Sequence, residues 1–384
     1  MDHRHQPLEP DELVRYARQI RLPSLGLGGQ QTLKDASVLI VGAGGLGSPA
    51  AIYLASAGVG RLGIADGDRV DVSNLHRQPL HDTNDIGRDK VESARARLNA
   101  LNPFVRVEAI RERIARENAL ALIDRYDVVI DATDNFPTRY LLNDACVLTN
   151  TPLVYGSIDR FEGQASVFAT KTGPCYRCLF PTPPDPGTVQ SCADAGVLGV
   201  LPGLIGTIQA TETLKLLLDL GESLAGRLLL VDTLRTRFRT IDVERDPACP
   251  ACGTREIREL VDYDDFCAKR PSSVGEPAEA GAISPRELSS LLNNGEAVTV
   301  IDVREPYEWN IGRIPTARLM PLGSMPDAAD GIDRDADIVV YCHHGVRSDL
   351  AANGLIDVGF RHVRNLIGGI DRWSREVDSR VPRY

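Results

Sequence analysis

The stretch SVLIVGAGGLG, at residues 37–47, decides the fold of this 384-residue chain. Ser37–Val41 is a short apolar run that is typical of a buried strand. Gly42, Gly44 and Gly47 then follow the pattern G-x-G-x-x-G and lead into a helical pattern that continues to Ala57. Such glycines let the backbone approach a ligand closely, and the start of the helix offers N–H groups to phosphate. The stretch predicts a nucleotide site in a parallel α/β sheet, and NAD is the commonest ligand of this pattern.

Strands and helices alternate along the rest of the chain. Apolar runs at residues 61–65, 127–131 and 152–155 predict further strands, and residues 204–218 predict a long apolar helix of the core or of a dimer interface. A shorter alternation follows residue 282, with strands predicted at residues 298–302 and 337–342. The pattern therefore predicts an α/β protein with a Rossmann-like domain and a second, smaller α/β domain.

Length and composition also indicate two domains. The chain is more than twice as long as a typical domain of about 150 residues, and residues 269–281 are rich in Pro, Gly, Ser and charge. We place the first domain at residues 1–255, a linker at 256–282 and the second domain at 283–384. The net charge of −10 argues against nucleic-acid binding.

The sequence carries no signal for a membrane or for secretion. No apolar run reaches the roughly 18 residues of a membrane-spanning helix, and residues 1–7 lack the apolar region of a signal peptide. Eight cysteines are too few for a disulfide scaffold of this length, so we expect a reducing, cytoplasmic setting.

Charged and polar residues follow the predicted strands and narrow the choice of nucleotide. Asp66 ends the second strand, 24 residues after Gly42, where an acid in this pattern meets a ribose hydroxyl. Two cations and a carboxylate able to hold Mg²⁺ suit a triphosphate, whereas hydride transfer from a nicotinamide does not use them. Taken singly, each cation could also belong to a solvated surface. The candidates are Ser73, Asn74, Arg77, Lys90, Asp134 and Asn135.

Together with RYARQI at residues 15–20, these motifs resemble the ThiF/MoeB-type adenylyltransferases, which are relatives of ubiquitin-activating enzymes. The resemblance runs from about residue 15 to residue 252 and implies a homodimer that uses ATP to adenylate the C-terminal glycine of a ubiquitin-fold protein. It implies that Gly45 and its neighbouring glycines face the phosphates, that Asp66 faces the ribose and that Asp134 holds Mg²⁺. It also implies that Asn74, Arg77 and Lys90 face the triphosphate, and that Arg18 reaches the active site of the partner subunit.

Two C-x-x-C pairs have the spacing of metal ligands: Cys175 with Cys178, and Cys249 with Cys252. Four thiolates can close a tetrahedral zinc site that has no open position and is therefore structural. The gap of 70 residues between the pairs is longer than in a zinc ribbon, and a redox pair or unrelated buried thiols are the alternatives. The resemblance to the adenylyltransferases also implies zinc at these cysteines.

Cys192 stands apart from both pairs, in the polar stretch QSCADAG at residues 190–196. A lone cysteine is more often a buried apolar residue, but polar neighbours favour a chemical role here. Its position matches that of a thiol in the relatives that takes up the acyl group or a sulfur-linked intermediate, so the resemblance implies a catalytic cysteine.

The stretch IVVYCHHGVRS, at residues 338–348, predicts a strand, a loop that begins with Cys342 and the start of a helix. Backbone N–H groups, the helix dipole and Arg347 would favour an anion on the sulfur. Cysteine phosphatases and sulfurtransferases both use such a loop, but Arg347 follows Cys342 by five positions rather than six, which favours sulfur. We expect His343 and His344 to face solvent.

With IDVREP at residues 301–306 and GRIPTA at 312–317, this loop resembles a rhodanese domain from about residue 283 to residue 384. The resemblance implies that Cys342 carries sulfane sulfur. The whole chain resembles the rhodanese-fused activating enzymes of sulfur-carrier proteins, which implies a carrier ending in Gly-Gly and a thiocarboxylate product. The sulfur donor would be thiosulfate or the persulfide of a cysteine desulfurase, and the carrier could serve molybdopterin, thiamine, cysteine or tRNA thiolation.

We therefore predict a cytoplasmic, homodimeric adenylyltransferase and sulfurtransferase that uses ATP, Mg²⁺ and Zn²⁺. Two other classes of function stay open from the sequence. One is an NAD-dependent oxidoreductase with an accessory domain, and the other is a non-catalytic scaffold for ubiquitin-fold partners.

Overall fold

The computed structural model describes residues 7–184, 196–268, 280–325 and 331–383. These residues form two compact units, the first made of residues 7–184 and 196–268 and the second of the remainder. Both units are α/β, as predicted. None of the helices in these ranges is long and apolar enough to span a membrane.

The first unit is built on one eight-stranded sheet with the order β3-β2-β1-β4-β5-β6-β7-β8. The strands are β1 (Ser37–Val41), β2 (Arg61–Ala65), β3 (Arg106–Ile110), β4 (Val128–Asp131), β5 (Leu153–Asp159), β6 (Glu162–Phe168), β7 (Arg227–Asp232) and β8 (Arg237–Asp242). The five strands from β3 to β5 run parallel, and the pairs beyond β5 are antiparallel. All five residues of β1 are buried, because helices cover both faces of the parallel part.

The helices of the first unit are α1 (Pro10–Arg15), α2 (Ala17–Ile20), α3 (Gly26–Asp35), α4 (Gly47–Ala57), α5 (Lys90–Leu101), α6 (Ala119–Ile123), α7 (Phe136–Thr149), α8 (Tyr176–Leu179), α9 (Val200–Leu218) and α10 (Tyr263–Ala268). The long apolar helix predicted from residue 204 is α9, and it begins at Val200. Leu201 and Ile205 of α9 are fully buried, and the helix packs against α4 and β5. It is therefore a core helix.

Helix α10 lies inside the stretch that we predicted to be a linker, residues 256–282. Tyr263 is buried, and its hydroxyl donates to the carboxylate of Asp144 on α7 at 2.7 Å. Phe266 packs edge-on against Tyr140 of the same helix, with ring centroids 5.3 Å apart. These aromatic contacts make the beginning of the predicted linker an ordered part of the first unit. The stretch rich in Pro, Gly and Ser, residues 269–279, lies outside the described residues.

The second unit has a five-stranded parallel sheet with the order β11-β10-β12-β13-β9. Its strands are β9 (Gly281–Ile283), β10 (Val298–Asp302), β11 (Arg318–Leu319), β12 (Asp337–Tyr341) and β13 (His362–Leu366). Its helices are α11 (Pro285–Asn293), α12 (Pro306–Ile311), α13 (Val346–Asp357) and α14 (Gly369–Glu376). The carboxyl end of β12 leads directly into the loop that contains Cys342.

Candidate active sites and metal centre

The glycine loop between β1 and α4 has almost no room for side chains at two of its glycines. Gly42 has a φ of 102°, and a Cβ placed on it would lie 2.5 Å from the carbonyl oxygen of Ala132. A Cβ on Gly47 would lie 1.9 Å from the carbonyl oxygen of Gly42. At Gly44, in contrast, the nearest atom to such a Cβ is Nε2 of Gln78 at 3.6 Å. The loop is thus closely packed at Gly42 and Gly47 and less closely packed at Gly44.

Asp66 lies at the end of β2, where the sequence places the acid that meets a ribose. Its carboxylate accepts hydrogen bonds from the N–H of Ala43 at 2.8 Å and from the N–H of Asp68 at 2.8 Å. Asp66 is therefore tied directly to the glycine loop, and the two predicted parts of a nucleotide site are brought together.

The segment after β2 carries Ser73, Asn74 and Arg77. Asp71 accepts from the N–H and the hydroxyl of Ser73 at 2.8 and 2.7 Å, and Asn74 Oδ1 accepts from the N–H of Asp71 at 3.1 Å. Nη1 of Arg77 donates to the carbonyl of Ser73 at 2.8 Å. Ser73 and Asn74 thus stabilise the short turn that positions Arg77. Whether they also contact a nucleotide stays a prediction.

Lys90 begins α5 and is buried, in spite of its charge. Its Nζ lies 3.0 Å from Oδ2 of Asp68, whose side chain is 75% exposed. A pairing with so exposed a carboxylate is weak, because water competes for the Asp68 charge. The ammonium group of Lys90 is therefore available to a stronger anion.

The loop after β4 holds Asp134 and Asn135. Asp134 is exposed, and Oδ1 of Asn135 accepts from the N–H of Thr138 at 3.0 Å, which caps α7. Thr133, just before them, is held by Asp131, which accepts from its N–H and hydroxyl at 3.0 and 2.6 Å. The structure thus gives Asn135 a capping role and presents the Asp134 carboxylate to solvent.

Sequence reasoning gave no role to Asp131 or Arg139, which support this loop from below. Both side chains are buried, with Arg139 Nε 4.0 Å from Asp131 Oδ2, and Arg139 Nη2 donates to the carbonyl of Thr133 at 3.2 Å. Burial raises the pKa of Asp131, and the nearby Arg139 opposes this effect. An acid at the end of a strand, followed by an arginine inside the next helix, is the sequence signal that could have indicated this pair.

Of the two predicted catalytic residues of the first unit, the structure describes Arg18. Arg18 lies on the short helix α2 and is exposed. Cys192 lies outside the described residues. The residues that follow it reach the glycine loop: a Cβ on Gly199 would lie 2.8 Å from the carbonyl oxygen of His76, and Pro202 lies directly beside Gly45.

The four cysteines of the two C-x-x-C pairs converge on one point. Their sulfur atoms all lie within 4.8 Å of one another, with Cys175 to Cys178 at 4.0 Å, Cys175 to Cys249 at 3.6 Å and Cys178 to Cys252 at 3.4 Å. Tetrahedral zinc with Zn–S bonds of about 2.3 Å needs sulfurs about 3.8 Å apart, so the set fits the ion. Burial and the neighbouring thiols raise the pKa of Cys175, so a cation is required to keep all four as thiolates.

The candidate site of the second unit centres on Cys342, which is fully buried at the end of β12. Its sulfur accepts from the N–H of Gly345 at 3.1 Å. The hydroxyl oxygen of Ser348 lies 3.4 Å from the sulfur but 2.7 Å from Oδ1 of Asn365, which is the better acceptor for its single hydrogen. Gly345 has a φ of 105°, a backbone conformation that glycine adopts without strain. The Gly345 N–H stabilises negative charge on the sulfur.

Arg347 is held by a partner that the sequence did not indicate. Its two terminal nitrogens donate to the two carboxylate oxygens of Glu308 at 2.7 and 2.8 Å, and both side chains are buried. Arg304 forms a similar buried pair with Asp302. The predicted action of Arg347 on the Cys342 sulfur stays a prediction, whereas its pairing with Glu308 is a direct contact.

The expectation that His343 faces solvent is wrong. The His343 side chain is buried, and its ring stacks on that of His344 with centroids 4.0 Å apart. Burial lowers the pKa of His343 to about 4, and the neighbouring His344 adds to this effect, so the ring is neutral near pH 7. His344 is exposed, as predicted.

Comparison with known proteins finds a matching family for each unit. A family model described as the ThiF family matches residues 16–251, and one described as a rhodanese-like domain matches residues 284–376. The probable adenylyltransferase/sulfurtransferase MoeZ of Mycobacterium tuberculosis is 44% identical over 98% of this chain and 96% of its own length. The adenylyltransferase and sulfurtransferase MOCS3 of Culex quinquefasciatus is 41% identical over 98% of this chain and 90% of its own length.

The first unit alone also has curated and structural relatives. The sulfur carrier protein adenylyltransferase of Thermus thermophilus is 57% identical over 68% of this chain and 98% of its own length. The crystal structure of E. coli MccB with ATP has a TM-score of 0.55 at 22% identity, covering 62% of this chain and 73% of that chain. At this identity, the likeness to MccB shows the fold alone.

Proposed function

Since the chain belongs to the ThiF family and joins that fold to a rhodanese-like domain, as the adenylyltransferase/sulfurtransferase enzymes do, we propose that it activates a sulfur carrier. In this proposal it adenylates the C-terminal glycine of a ubiquitin-fold carrier and converts that carboxylate to a thiocarboxylate. The observation that carries the proposal is the presence in one chain of two loops suited to anions, one around Gly44 and one around Cys342.

The adenylation half uses the carboxyl edge of the first sheet. The glycine loop and the start of α4 offer N–H groups to the phosphates of ATP, and Asp66 lies where a ribose hydroxyl would bind. Arg77 and Lys90 neutralise the negative charge that builds up when the glycine carboxylate attacks the α-phosphate. No general base is required, because the attacking carboxylate is already ionised at pH 7.

Asp134 is the residue that we assign to Mg²⁺. The ion prefers one or two carboxylates together with water and substrate phosphates, and an exposed carboxylate beside the glycine loop fits this preference. When bound, Mg²⁺ supplies charge neutralisation and orients the phosphates. The buried Asp131 and Arg139 hold the Asp134 loop in place through Thr133.

The sulfur half uses Cys342. Its sulfur would receive the sulfane sulfur of a donor and keep it as a persulfide, while sulfite or the donor thiolate leaves; the Gly345 N–H stabilises the negative charge. The terminal sulfur then attacks the activated carbonyl carbon of the carrier, AMP leaves, and the carrier is joined to Cys342 as an acyl disulfide. We assign Cys192 to the release: its thiolate attacks the Cys342 sulfur, the carrier leaves as its thiocarboxylate, and the resulting disulfide between Cys192 and Cys342 is reduced by an external thiol reductant.

Zinc and a second copy of the chain complete the proposal. The four cysteines would hold Zn²⁺ in a closed structural site that joins residues 175–178 to residues 249–252. The exposed apolar residues Val14, Leu22 and Leu27 support a homodimer, to which Arg18 would contribute from α2. We also propose a reducing compartment such as the cytoplasm, since eight cysteines are too few for a disulfide scaffold in a chain of this length.

The test is ATP–pyrophosphate exchange with candidate carriers from the molybdopterin, thiamine, cysteine and tRNA-thiolation pathways. We expect exchange to require a carrier ending in Gly-Gly, and mass spectrometry to show one carrier oxygen replaced by sulfur when a donor is added. Asp134→Ala should abolish exchange while carrier binding persists. Wild-type protein that gives no exchange with any carrier would contradict the proposal, and exchange that depends on the carrier excludes an oxidoreductase or a scaffold.

The sulfur step has its own control. Cys342→Ala should abolish sulfur transfer from thiosulfate or from a cysteine desulfurase persulfide and leave exchange intact. Cys146→Ala, which removes a buried thiol of α7 in the first unit, serves as the matched cysteine variant. Transfer that survives in Cys342→Ala would show that another group carries the sulfur.

A further inference from the structure

His81 is a buried residue that lies directly behind the glycine loop and has no role in the function proposed above. Its ring makes two hydrogen bonds, with Nε2 2.9 Å from the carbonyl oxygen of Ala43 and Nδ1 2.8 Å from the hydroxyl oxygen of Ser93. Ser93 is itself buried and lies on α5, three residues after Lys90. His81 thus connects the glycine loop to the helix that carries Lys90.

The chemistry of the two partners determines which ring nitrogen carries the proton. A backbone carbonyl can only accept, so Nε2 must carry a hydrogen and donate it to Ala43. In the neutral ring Nδ1 is then an acceptor for the Ser93 hydroxyl, which also has the Asp85 carboxylate as a hydrogen-bond partner. The Ala43 carbonyl thus selects the tautomer, and Ser93 holds the other ring nitrogen in place.

The hydrogen bond to Ala43 also fixes the direction of the next N–H group. The carbonyl of Ala43 and the N–H of Gly44 belong to one planar peptide unit and point in opposite directions. Because His81 holds the carbonyl, the N–H of Gly44 is directed away from His81. Within the described residues no backbone carbonyl accepts from that N–H, and the atom that a Cβ on Gly44 would meet is Nε2 of Gln78, at an ordinary contact distance of 3.6 Å.

The remaining bonds of Ala43 make this peptide rigid on its other side. Its N–H donates to Asp66 at 2.8 Å, so both polar backbone groups of Ala43 have a partner. The carbonyl of Gly44 accepts from the N–H of Ser48 and so joins the first turn of α4. The side chain of His81 is hydrogen-bonded directly to the peptide unit between Ala43 and Gly44, through the Ala43 carbonyl.

We propose that His81 is a positioning residue for ATP: by holding the Ala43 carbonyl, it keeps the Gly44 N–H directed at a phosphate. Glycine lets this peptide rotate at little cost once the bond is lost. A rotated peptide would present its carbonyl oxygen to the phosphate, which replaces an attraction with a repulsion. The inference rests on the proposed function, because it assumes that ATP is the nucleotide.

Burial of His81 favours the neutral form of its ring, and the role proposed here is compatible with either protonation state. Burial lowers the pKa of His81, and the hydrogen bond to Ala43 opposes that effect; Lys90 lowers the pKa further, whereas Asp85 and Asp66 raise it. The Nε2 hydrogen is present in both the neutral and the protonated ring, so the bond to Ala43 is retained through the neutral pH range. We therefore expect a positioning role and no pH switch.

The test compares four variants by the KM and kcat of exchange and by the Kd for ATP from calorimetry. His81→Phe removes the donor and keeps a ring, and His81→Gln places an amide N–H where Nε2 lies. Ser93→Ala removes the hydroxyl that holds Nδ1 of the ring. His362→Phe makes the same change at an exposed position of the second unit and is the matched control.

We expect His81→Phe to raise KM and Kd for ATP by about 10- to 100-fold, which corresponds to losing one hydrogen bond to a charged group, with kcat little changed. His81→Gln should recover most of the affinity, Ser93→Ala should be intermediate, and His362→Phe should match wild type. A purely structural residue would lower the active fraction, and so kcat, at unchanged KM.

Wild-type affinity in a folded His81→Phe, or a kcat loss at constant KM, would overturn the proposal. If that variant does not fold, the same criteria apply to Ser93→Ala, and wild-type affinity there overturns it. If wild-type protein binds ATP but gives no exchange, the proposed function has failed, and the Kd series still decides the role of His81.

Discussion

Two glycines of the same loop should respond in opposite ways to the same substitution. Gly44→Ala adds a methyl group at an ordinary contact distance from Gln78, whereas Gly47→Ala adds it where the Gly42 carbonyl already lies. We expect Gly44→Ala to fold normally and to bind ATP poorly. We expect Gly47→Ala to be destabilised.

The size of the Gly47 effect follows from the distance. The added Cβ would lie 1.9 Å from a backbone oxygen, about 1.5 Å closer than an ordinary van der Waals contact. The oxygen belongs to the backbone and the Cβ is fixed to the Cα of residue 47, so relief requires the loop or the start of α4 to move. Overpacking of this kind costs about 3 kcal/mol or more, which lowers the Tm of a unit of this size by about 6–12 °C.

At Gly44 the nearest neighbour is the Nε2 atom of Gln78 at 3.6 Å, an ordinary contact. Alanine in place of glycine then restricts the unfolded chain and changes the free energy of unfolding by less than about 1 kcal/mol. The methyl group, however, occupies the space in which a phosphate would approach the backbone N–H groups. We expect the Kd for ATP to rise by about 10²-fold, since close approach is what these N–H groups require.

The assay is a thermal melt of each variant, followed by calorimetric titration with ATP. The reasoning is refuted if Gly44→Ala binds ATP with wild-type affinity, because the space beside Gly44 would then not be the phosphate site. It is equally refuted if Gly47→Ala melts like wild type, because the loop would then be able to relax.

Three further perturbations test other parts of the structure. Glu308→Gln leaves the buried Arg347 without its charged partner, and we expect a loss of about 3–5 kcal/mol in the stability of the second unit by denaturant titration, together with weaker sulfur transfer. The pKa of His343 lies near 4 in the folded protein and at 6.5 ordinarily, so the unfolded chain takes up the proton first as the pH falls. The second unit should therefore lose up to about 3 kcal/mol between pH 6.5 and 4, and His343→Gln should flatten this dependence in melts at graded pH. Chelation of zinc should lower the Tm of the first unit. Cys178→Ser should lower the zinc content of the protein, whereas Cys267→Ser, outside the cluster, should not. Equal zinc content in the two variants would count against the four-cysteine site.

The parts of the fold that the sequence predicted are those in which local pattern and tertiary structure agree. The buried strand β1, the glycine loop and α4 need only an apolar run, glycines and a helical period, all within 21 residues. The spacing of the two C-x-x-C pairs likewise predicted a cluster that the structure brings together. Such features follow from the type and spacing of residues in the sequence.

The features that the sequence did not indicate depend on residues that meet only in the folded chain. Glu308 lies 39 positions from Arg347, and no local period connects them. His343 was predicted to be an exposed loop residue, but in the fold its side chain is buried and its ring stacks on that of His344. Helix α10 was predicted as linker because its aromatic residues are too few to form a period, although they find α7 in the fold.

The surroundings of Lys90 and Arg347 show why two buried cations can have different roles. Lys90 is paired with Asp68, whose side chain is 75% exposed, so water competes for that carboxylate. Arg347 and Glu308 are only 6% and 3% exposed, and separating these two charges would cost several kcal/mol. In the proposed function Lys90 would therefore exchange its partner for a triphosphate, whereas Arg347 would keep Glu308 and hold the Cys342 loop in shape. The direct hydrogen bond to the Cys342 sulfur comes from the Gly345 N–H, so this backbone group stabilises charge there without separation of the Arg347–Glu308 pair.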